Sequence, residues 1–159
     1  MSKAPSTQAT RLLKQAGISY TEHLYRYEDK GGTAVSAREL DVAEHAVIKT
    51  LVMEDEKGTP LIILMHGDCE VSTKELARQI GAKAVQPCKP EVANRHSGYL
   101  VGGTSPFGTR KAMPIHAEAT LFELERIYLN GGSRGFLVGL SPQDLDKALK
   151  VNRVTVAIP

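Results

Sequence analysis

The sequence predicts an α/β domain built on a curved, barrel-like mixed β-sheet flanked by short helices, with the whole chain, 1–159, forming one domain. Three observations carry that prediction. Two apolar β runs, Val47–Glu54 and Pro60–His66, are joined by Asp55-Glu56-Lys57-Gly58, which has the composition of a hairpin loop. Short capped helices mix with short strands without strict βαβ alternation, the pattern of a mixed sheet. With 42% hydrophobic residues in 159, the chain can bury a core without staples and is not intrinsically disordered.

From the N-terminus, Pro5–Gly17 reads as a helix. Ser6 or Thr7 caps it, Ala9, Leu12, Leu13 and Ala16 recur at helical spacing, and Gly17 stops it. Tyr20–Tyr27 reads as a strand, followed by a turn at Gly31-Gly32. Ser36 is expected to open a short helix through Leu40, with Glu39 completing a capping box. After the hairpin, Ser72–Ile80 is a capped amphipathic helix ending at Gly81, and Lys83–Gln86 a short strand. Pro90–His96 is a helix with proline in its first turn. Tyr99–Val101 runs into a glycine-rich loop, Gly102–Gly108. Ala112–His116 and Arg126–Leu129 are strand-like, and Asn130-Gly131-Gly132 is expected to turn the chain into Gly135–Leu140. Ser141-Pro142 caps a last helix, Gln143–Lys150, and Val154–Ile158 closes as a strand.

No apolar run approaches the ~20 residues of a membrane helix. Met1–Gln8 has no apolar core of the kind a signal peptide needs, so the expected location is the cytoplasm. Two cysteines, Cys69 and Cys88, are too few for a disulfide framework. Lys plus Arg total 20 against 18 Asp plus Glu, a net charge of +2. That excludes a nucleic-acid binder relying almost wholly on phosphate neutralisation.

The five histidines, His23, His45, His66, His96 and His116, show no ligand spacing, and there is no Cys-x-x-Cys. No metal is therefore expected. Nothing local lowers the pKa of either cysteine, and a Gly-x-Ser-x-Gly elbow is absent. Two features stand out. Gly102-Gly103-Thr104-Ser105-Pro106-Phe107-Gly108 nearly mimics a phosphate-binding loop, but Thr109 and Arg110 replace the required Lys and Ser/Thr. Such a loop either lets a ligand approach its backbone, with free N–H groups for an anion or ester oxyanion, or is an ordinary tight turn. Lys49 interrupts the apolar strand face Val47, Lys49, Leu51, Met53. It either snorkels past a sheet edge or points into a pocket.

His23-Leu24-Tyr25, Lys49-Thr50-Leu51, the block Gly98–Gly108 and the block Ile127–Gly135 occur together in the order and spacing of one known family. In these stretches the chain resembles the YbaK/prolyl-tRNA synthetase-associated family, most closely the branch that removes cysteine from mischarged proline tRNA. The resemblance implies a YbaK-like single domain and a trans-editing activity on the ester between a wrong amino acid and the tRNA 3′ adenosine. It makes Lys49 the essential lysine and Tyr25 a pocket residue. Gly102 and Gly103 would meet the substrate through their backbone, with Thr33, Thr104, Pro106, Phe107, Gly108 and Asn130 completing the binding set. It implies no cofactor, a mischarged tRNA as partner, and prolyl-tRNA synthetase as a possible second one. The chain departs from cysteine-specific members at Gly31-Gly32-Thr33, where they carry Phe. It departs again at Asn130, where they carry Ser, and at Leu137, where they carry a polar or acidic residue. Two other readings stay open: an Ala- or Ser-tRNA deacylase of the same fold, and a non-catalytic RNA- or nucleotide-binding module. A single-strand binder should show aromatic platforms between basic residues, whereas this chain has no Trp and 5% aromatics.

Overall fold

The computed structural model describes residues 4–159; Met1–Lys3, part of the stretch read for export, lie outside the described residues. The hairpin forms as expected. Strand β2 (Ile48–Asp55) pairs antiparallel with β3 (Pro60–His66), from Ile48 opposite His66 to Glu54 opposite Pro60. Asp55 Oδ1 accepts from the backbone N–H of Lys57 and Thr59 and so ties the connecting turn. β3 is buried along its full length. Ile62 and Leu64 face one core with Leu13, Phe107, Leu129 and Phe136. Leu61, Ile63 and Met65 face a second with Met53 and Leu76. Burial on both faces is why Leu61–Met65 is an unbroken apolar run rather than an alternating one. Each such side chain contributes about 1.5–3 kcal/mol through its burial.

Around this hairpin lies a mixed five-stranded sheet, in the order β5 (Val85–Pro87), β2, β3, β6 (Ile115–Glu118), β9 (Val151–Val154). β3–β6 and β6–β9 are parallel and the other pairs antiparallel. A second, antiparallel sheet holds β1 (Thr21–Leu24), β8 (Phe136–Leu140) and β7 (Ile127–Ser133). One parallel bridge, Val47 to Tyr128, joins the two. β4 (Glu70–Val71) and β10 (Ala157–Ile158) form a small third sheet. The strands thus curve as three sheets, and none closes into a barrel.

Most helices follow their sequence signals. α1 (Gln8–Gln15) is capped by Thr7 in a reciprocal box with Thr10. α3 (Thr73–Ile80) is capped by Ser72 and ends at left-handed Gly81. α4 (Pro90–Ser97) ends at Gly98, also left-handed, and α5 (Pro142–Ala148) is capped by Ser141. α2 (Gly32–Leu40) differs from expectation: it begins four residues before Ser36, whose hydroxyl lies inside the helix and donates to Gly32 O. Tertiary bonds pull its start forward, since Thr33 Oγ1 donates to Glu44 Oε2 (2.8 Å) and Gly67 O (3.1 Å).

Two further expectations are corrected. Asn130-Gly131-Gly132 is not the turn but a bulge inside β7, and the chain reverses at Arg134-Gly135. Asn130 Oδ1 accepts from the N–H groups of Gly132 and Ser133, while Gly131 leaves the space that the Phe136 ring fills. The terminal strand is split in two. Glu118 Oε1 accepts from Val156 N and Ala157 N, bending the chain from β6's edge towards β4.

Two histidines are buried in this frame. Burial pushes His116, whose Nδ1 has no partner, and His66 below the usual value of 6.5. The unfolded chain therefore takes up protons that the folded one refuses. Stability is complete above about pH 6.5 and falls as pH drops below it, by at most about 1.4 kcal/mol per pH unit per histidine. Urea unfolding followed by circular dichroism is expected to give a lower midpoint at pH 5.5 than at pH 7.5. A midpoint that holds or rises on acidification would contradict this.

Candidate active site

β2 is covered on its outer edge only at its ends, by β5 from Met53 to Asp55 and by the bridge at Val47. Between them the edge fronts a cavity of about 550 Å³. The facing walls come from the first turns of α2 (Gly32, Thr33, Ser36), Tyr25 and Tyr27 after β1, and Pro90 and Ala93 of α4. Val101, Gly102 and Thr104 of the glycine-rich loop, with Asn130, Arg134 and Leu137 of the β7–β8 unit, complete them.

Lys49 sits in this cavity wall, half-buried, between the two outcomes the strand pattern allowed. Its Nζ donates to Cys69 O at 2.5 Å, which anchors the ammonium and leaves two of its three protons for other partners. The neighbouring Thr50 lies on the opposite face of β2, and its Oγ1 is buried without a hydrogen-bond partner. Val52 O accepts from Cys88 N. Because backbone direction alternates along a strand, the Thr50 N–H and C=O share that side and meet the uncovered edge. Sequence reasoning passed over Thr50; the available signal was a lone hydroxyl on the apolar face Ile48, Thr50, Val52.

Of the other residues named from sequence, Tyr25, Thr33, Gly102, Thr104 and Asn130 line the cavity. Asn130 uses its side chain internally, Nδ2 donating to Gly102 O at 3.0 Å while Oδ1 holds the bulge. Gly102 has φ +92° and packs under Tyr27, whose Oη would lie 2.5 Å from an added Cβ. Gly103 faces the β7–β8 turn instead, with the Arg134 and Ser133 backbone 3.0–3.1 Å from where a Cβ would stand. Its N–H already donates to Leu100 O at 2.8 Å, so it is not a free oxyanion donor. Pro106, Phe107 and Gly108 stand outside the cavity lining. Phe107 is wholly buried and accepts the Tyr99 hydroxyl on its carbonyl, and Gly108 packs on the Gln8 backbone of α1. The second half of the loop is thus its anchor in the core.

Neither cysteine is prepared as a nucleophile. Burial and the Glu54 carboxylate raise Cys88, in the cavity wall, to about 11; burial and Asp68 raise Cys69. A separate cavity of about 470 Å³ contains His45, Asp68 and Cys69, whose ligand atoms lie within 4.8 Å of one another. His45 Nδ1 is 2.8 Å from Asp68 Oδ1, and the Cys69 thiol donates to the same oxygen. This group has the donors to hold a cation. His45 lies 23 residues before the adjacent pair Asp68-Cys69, too far for a spacing rule to find. Among the described residues, no such group lies in the cavity around Lys49.

The family model described as "Aminoacyl-tRNA editing domain" matches residues 28–148. The chain is 28% identical over 138 residues to the Enterococcus faecalis protein named "Putative Cys-tRNA(Pro)/Cys-tRNA(Cys) deacylase EbsC", covering 86% of this chain and 84% of that protein. It is 30% identical over 105 residues to the proline–tRNA ligase of Streptococcus equi subsp. equi, covering 65% of this chain but only 17% of that enzyme. Among solved structures, the hypothetical protein APE2540 superposes with a TM-score of 0.88 at 21% identity, over 96% of this chain and all of that one. A structure described as a "putative trans-editing enzyme for prolyl tRNA synthetase" superposes with a TM-score of 0.83 at 18% identity, over 98% of this chain and all of that one. Among the described residues, no helix is long and apolar enough to cross a membrane.

Proposed function

The chain belongs to the aminoacyl-tRNA editing domain family, and on that premise we propose that it deacylates mischarged Cys-tRNA(Pro) in trans, binding the 3′ aminoacyl-adenosine in the β2-edge cavity. The observation that carries this reading is an anchored ammonium, Lys49, in the wall of a cavity that runs along the uncovered edge of β2. Cation and backbone N–H are the donors that a developing oxyanion and a ribose hydroxyl need. The volume of about 550 Å³ lies within the roughly 300–1,000 Å³ range of small-ligand sites.

The amino-acid side chain faces a largely apolar wall that includes Leu51, Met53 and Leu137. A thiol or methyl is accommodated there at little cost, whereas a serine hydroxyl would lose its water without replacement. Alanyl-tRNA is therefore the second reading. The need for such an enzyme follows from size: a synthetase pocket for proline discriminates a similar ligand by only about 1–3 kcal/mol per methylene. The similarity to a segment of a proline–tRNA ligase supports a working association with prolyl-tRNA synthetase.

In the proposed reaction the substrate's own sulfur attacks the ester carbonyl. The C–S bond forms, the bond to the ribose 3′ oxygen breaks, and the thiol proton passes to that oxygen; the resulting thiolactone then takes up water. Lys49 holds the thiolate or the 3′ adenosine in place.

Incubation with cysteinyl-, alanyl-, seryl- and prolyl-tRNA(Pro) tests the assignment. The expected order puts cysteinyl first and alanyl second, with prolyl uncleaved. Faster alanyl cleavage would replace the cysteine assignment, and no cleavage of any ester would leave a binding module.

A further inference from the structure

Beside the cavity mouth, the C-terminal turn of α4 and the segment 109–111 build a continuous basic ridge. Arg110 N donates to Ser97 O at 3.0 Å and Lys111 N to His96 O at 2.9 Å, which lays both residues against the end of α4 next to Arg95. Gly98 makes this approach possible, since an added Cβ would stand 3.3 Å from Arg110 Cβ. The ridge continues into the cavity wall. Val101 N donates to Asn94 Oδ1, and Val101 O accepts from Arg134 Nε, both at 3.0 Å.

Arg95, Arg110, Lys111 and Arg134 are all exposed, and among the described residues none of them has an acidic partner within ion-pair distance. Elsewhere Arg38, Arg78 and Arg153 are paired, while among the described residues Arg11, Arg26 and Arg126 also have no ion pair. Of the acids around it, Glu91 lies in the first turn of α4, and Glu54 is close enough to act on His96. Burial, Lys111 and Arg95 together push His96 below its ordinary value, as expected where cations share one field. Between the ridge and the cavity stand Leu100, 60% exposed, and Val101, 47% exposed, two apolar side chains at a polar rim. Cations flanking an apolar ledge match a strand that presents phosphates outward and a base face inward.

We infer that the 3′ strand of the RNA leaves the cavity over Leu100 and Val101 and runs along Arg110, Lys111 and Arg95, which neutralise its phosphates. This rests on the editing reading for the identity of the RNA. A protein of net charge +2 can then grip its substrate at one edge without a basic surface all round.

The test is fluorescence anisotropy of the full chain with an uncharged stem–loop RNA carrying a short unpaired 3′ tail, between 50 and 200 mM salt. Arg110→Ala/Lys111→Ala is expected to reduce the slope of log K against log salt by about 1.4, two single-strand phosphates at roughly 0.7 each. It is also expected to weaken binding about tenfold and raise KM for the charged stem–loop, with cleavage of a cysteinyl-adenosine ester unchanged. Lys147→Ala/Lys150→Ala, beside β9 at the opposite edge of the five-stranded sheet from β5 and β2, is the control. An unchanged slope in the ridge variant, or an equal loss in the control, would overturn the inference. If the wild-type protein cleaves neither ester, the editing assignment falls, while the salt slopes still decide whether RNA follows the ridge.

Discussion

Replacing Lys49 with alanine is expected to lower kcat for deacylation at least about 100-fold, the loss typical of one transition-state donor and equal to about 2.7 kcal/mol. The ammonium is held to Cys69 O at 2.5 Å, so its position is set before substrate arrives and costs nothing to reorganise during reaction. A charge half-buried in a cavity wall acts through a lower effective dielectric than one in water, and removing it removes more than a surface contact would. The structural consequence is smaller, because one hydrogen bond to a charged group contributes about 1.5–3 kcal/mol. Lys49→Met keeps the apolar stem packed and separates charge from volume. Single-turnover kinetics on cysteinyl-tRNA, with thermal melting of both variants, reads the result. Wild-type-like turnover in a folded Lys49→Met protein would remove the lysine from the chemistry.

S-methylcysteinyl-tRNA is expected to be cleaved at least about 100-fold more slowly than cysteinyl-tRNA, while Cys69→Ala and Cys88→Ala each keep most of the activity. Neither cysteine is prepared to take over. Cys88 is held at about 11 and Cys69 is also raised, so both remain thiols near neutral pH. Among the described residues no histidine lines the cavity; its carboxylates are Glu28, which pairs with Arg38, and Asp29. A bound cysteinyl thiol, by contrast, stands next to the carbonyl it must attack. Fixing that geometry can contribute roughly 7–11 kcal/mol in favourable systems, part of it offset by the strain of a four-membered ring. Methylation removes the nucleophile at a small cost in volume, which about 550 Å³ tolerates. Rapid cleavage of the S-methyl ester would assign the attack to water or to a protein group. Loss of activity in Cys88→Ala would do the same for that thiol.

Much of the scaffold was legible because local rules decide it. The run Leu61–Met65 can be soluble only if both its faces are covered, which makes it the central strand. Ser72, Ser141 and Pro90 mark helix starts, and Gly81 a helix end, whatever surrounds them. Where contacts outside the local segment compete with these rules, the reading failed. Ser36 looks like a cap, but Glu44 and Gly67 hold Thr33 and start α2 earlier. Asn130-Gly131-Gly132 has turn composition, yet Phe136 occupies the space above Gly131 and turns the segment into a bulge.

The site divides in the same way. By itself the sequence determined that a lysine interrupts an apolar strand and that a glycine-rich loop follows α4, because strand alternation and glycine spacing are local properties. Only the tertiary structure decided which of those residues meet. It left the outer edge of β2 uncovered between two pairings and placed Cys69 O under the Lys49 ammonium. It sent Phe107 and Gly108 into the core and His45, Asp68 and Cys69 into another cavity. These outcomes depend on which strand edges remain unpaired and on contacts between residues 20 or more positions apart. Such contacts are set by the packing of the whole sheet, and no local pattern records them.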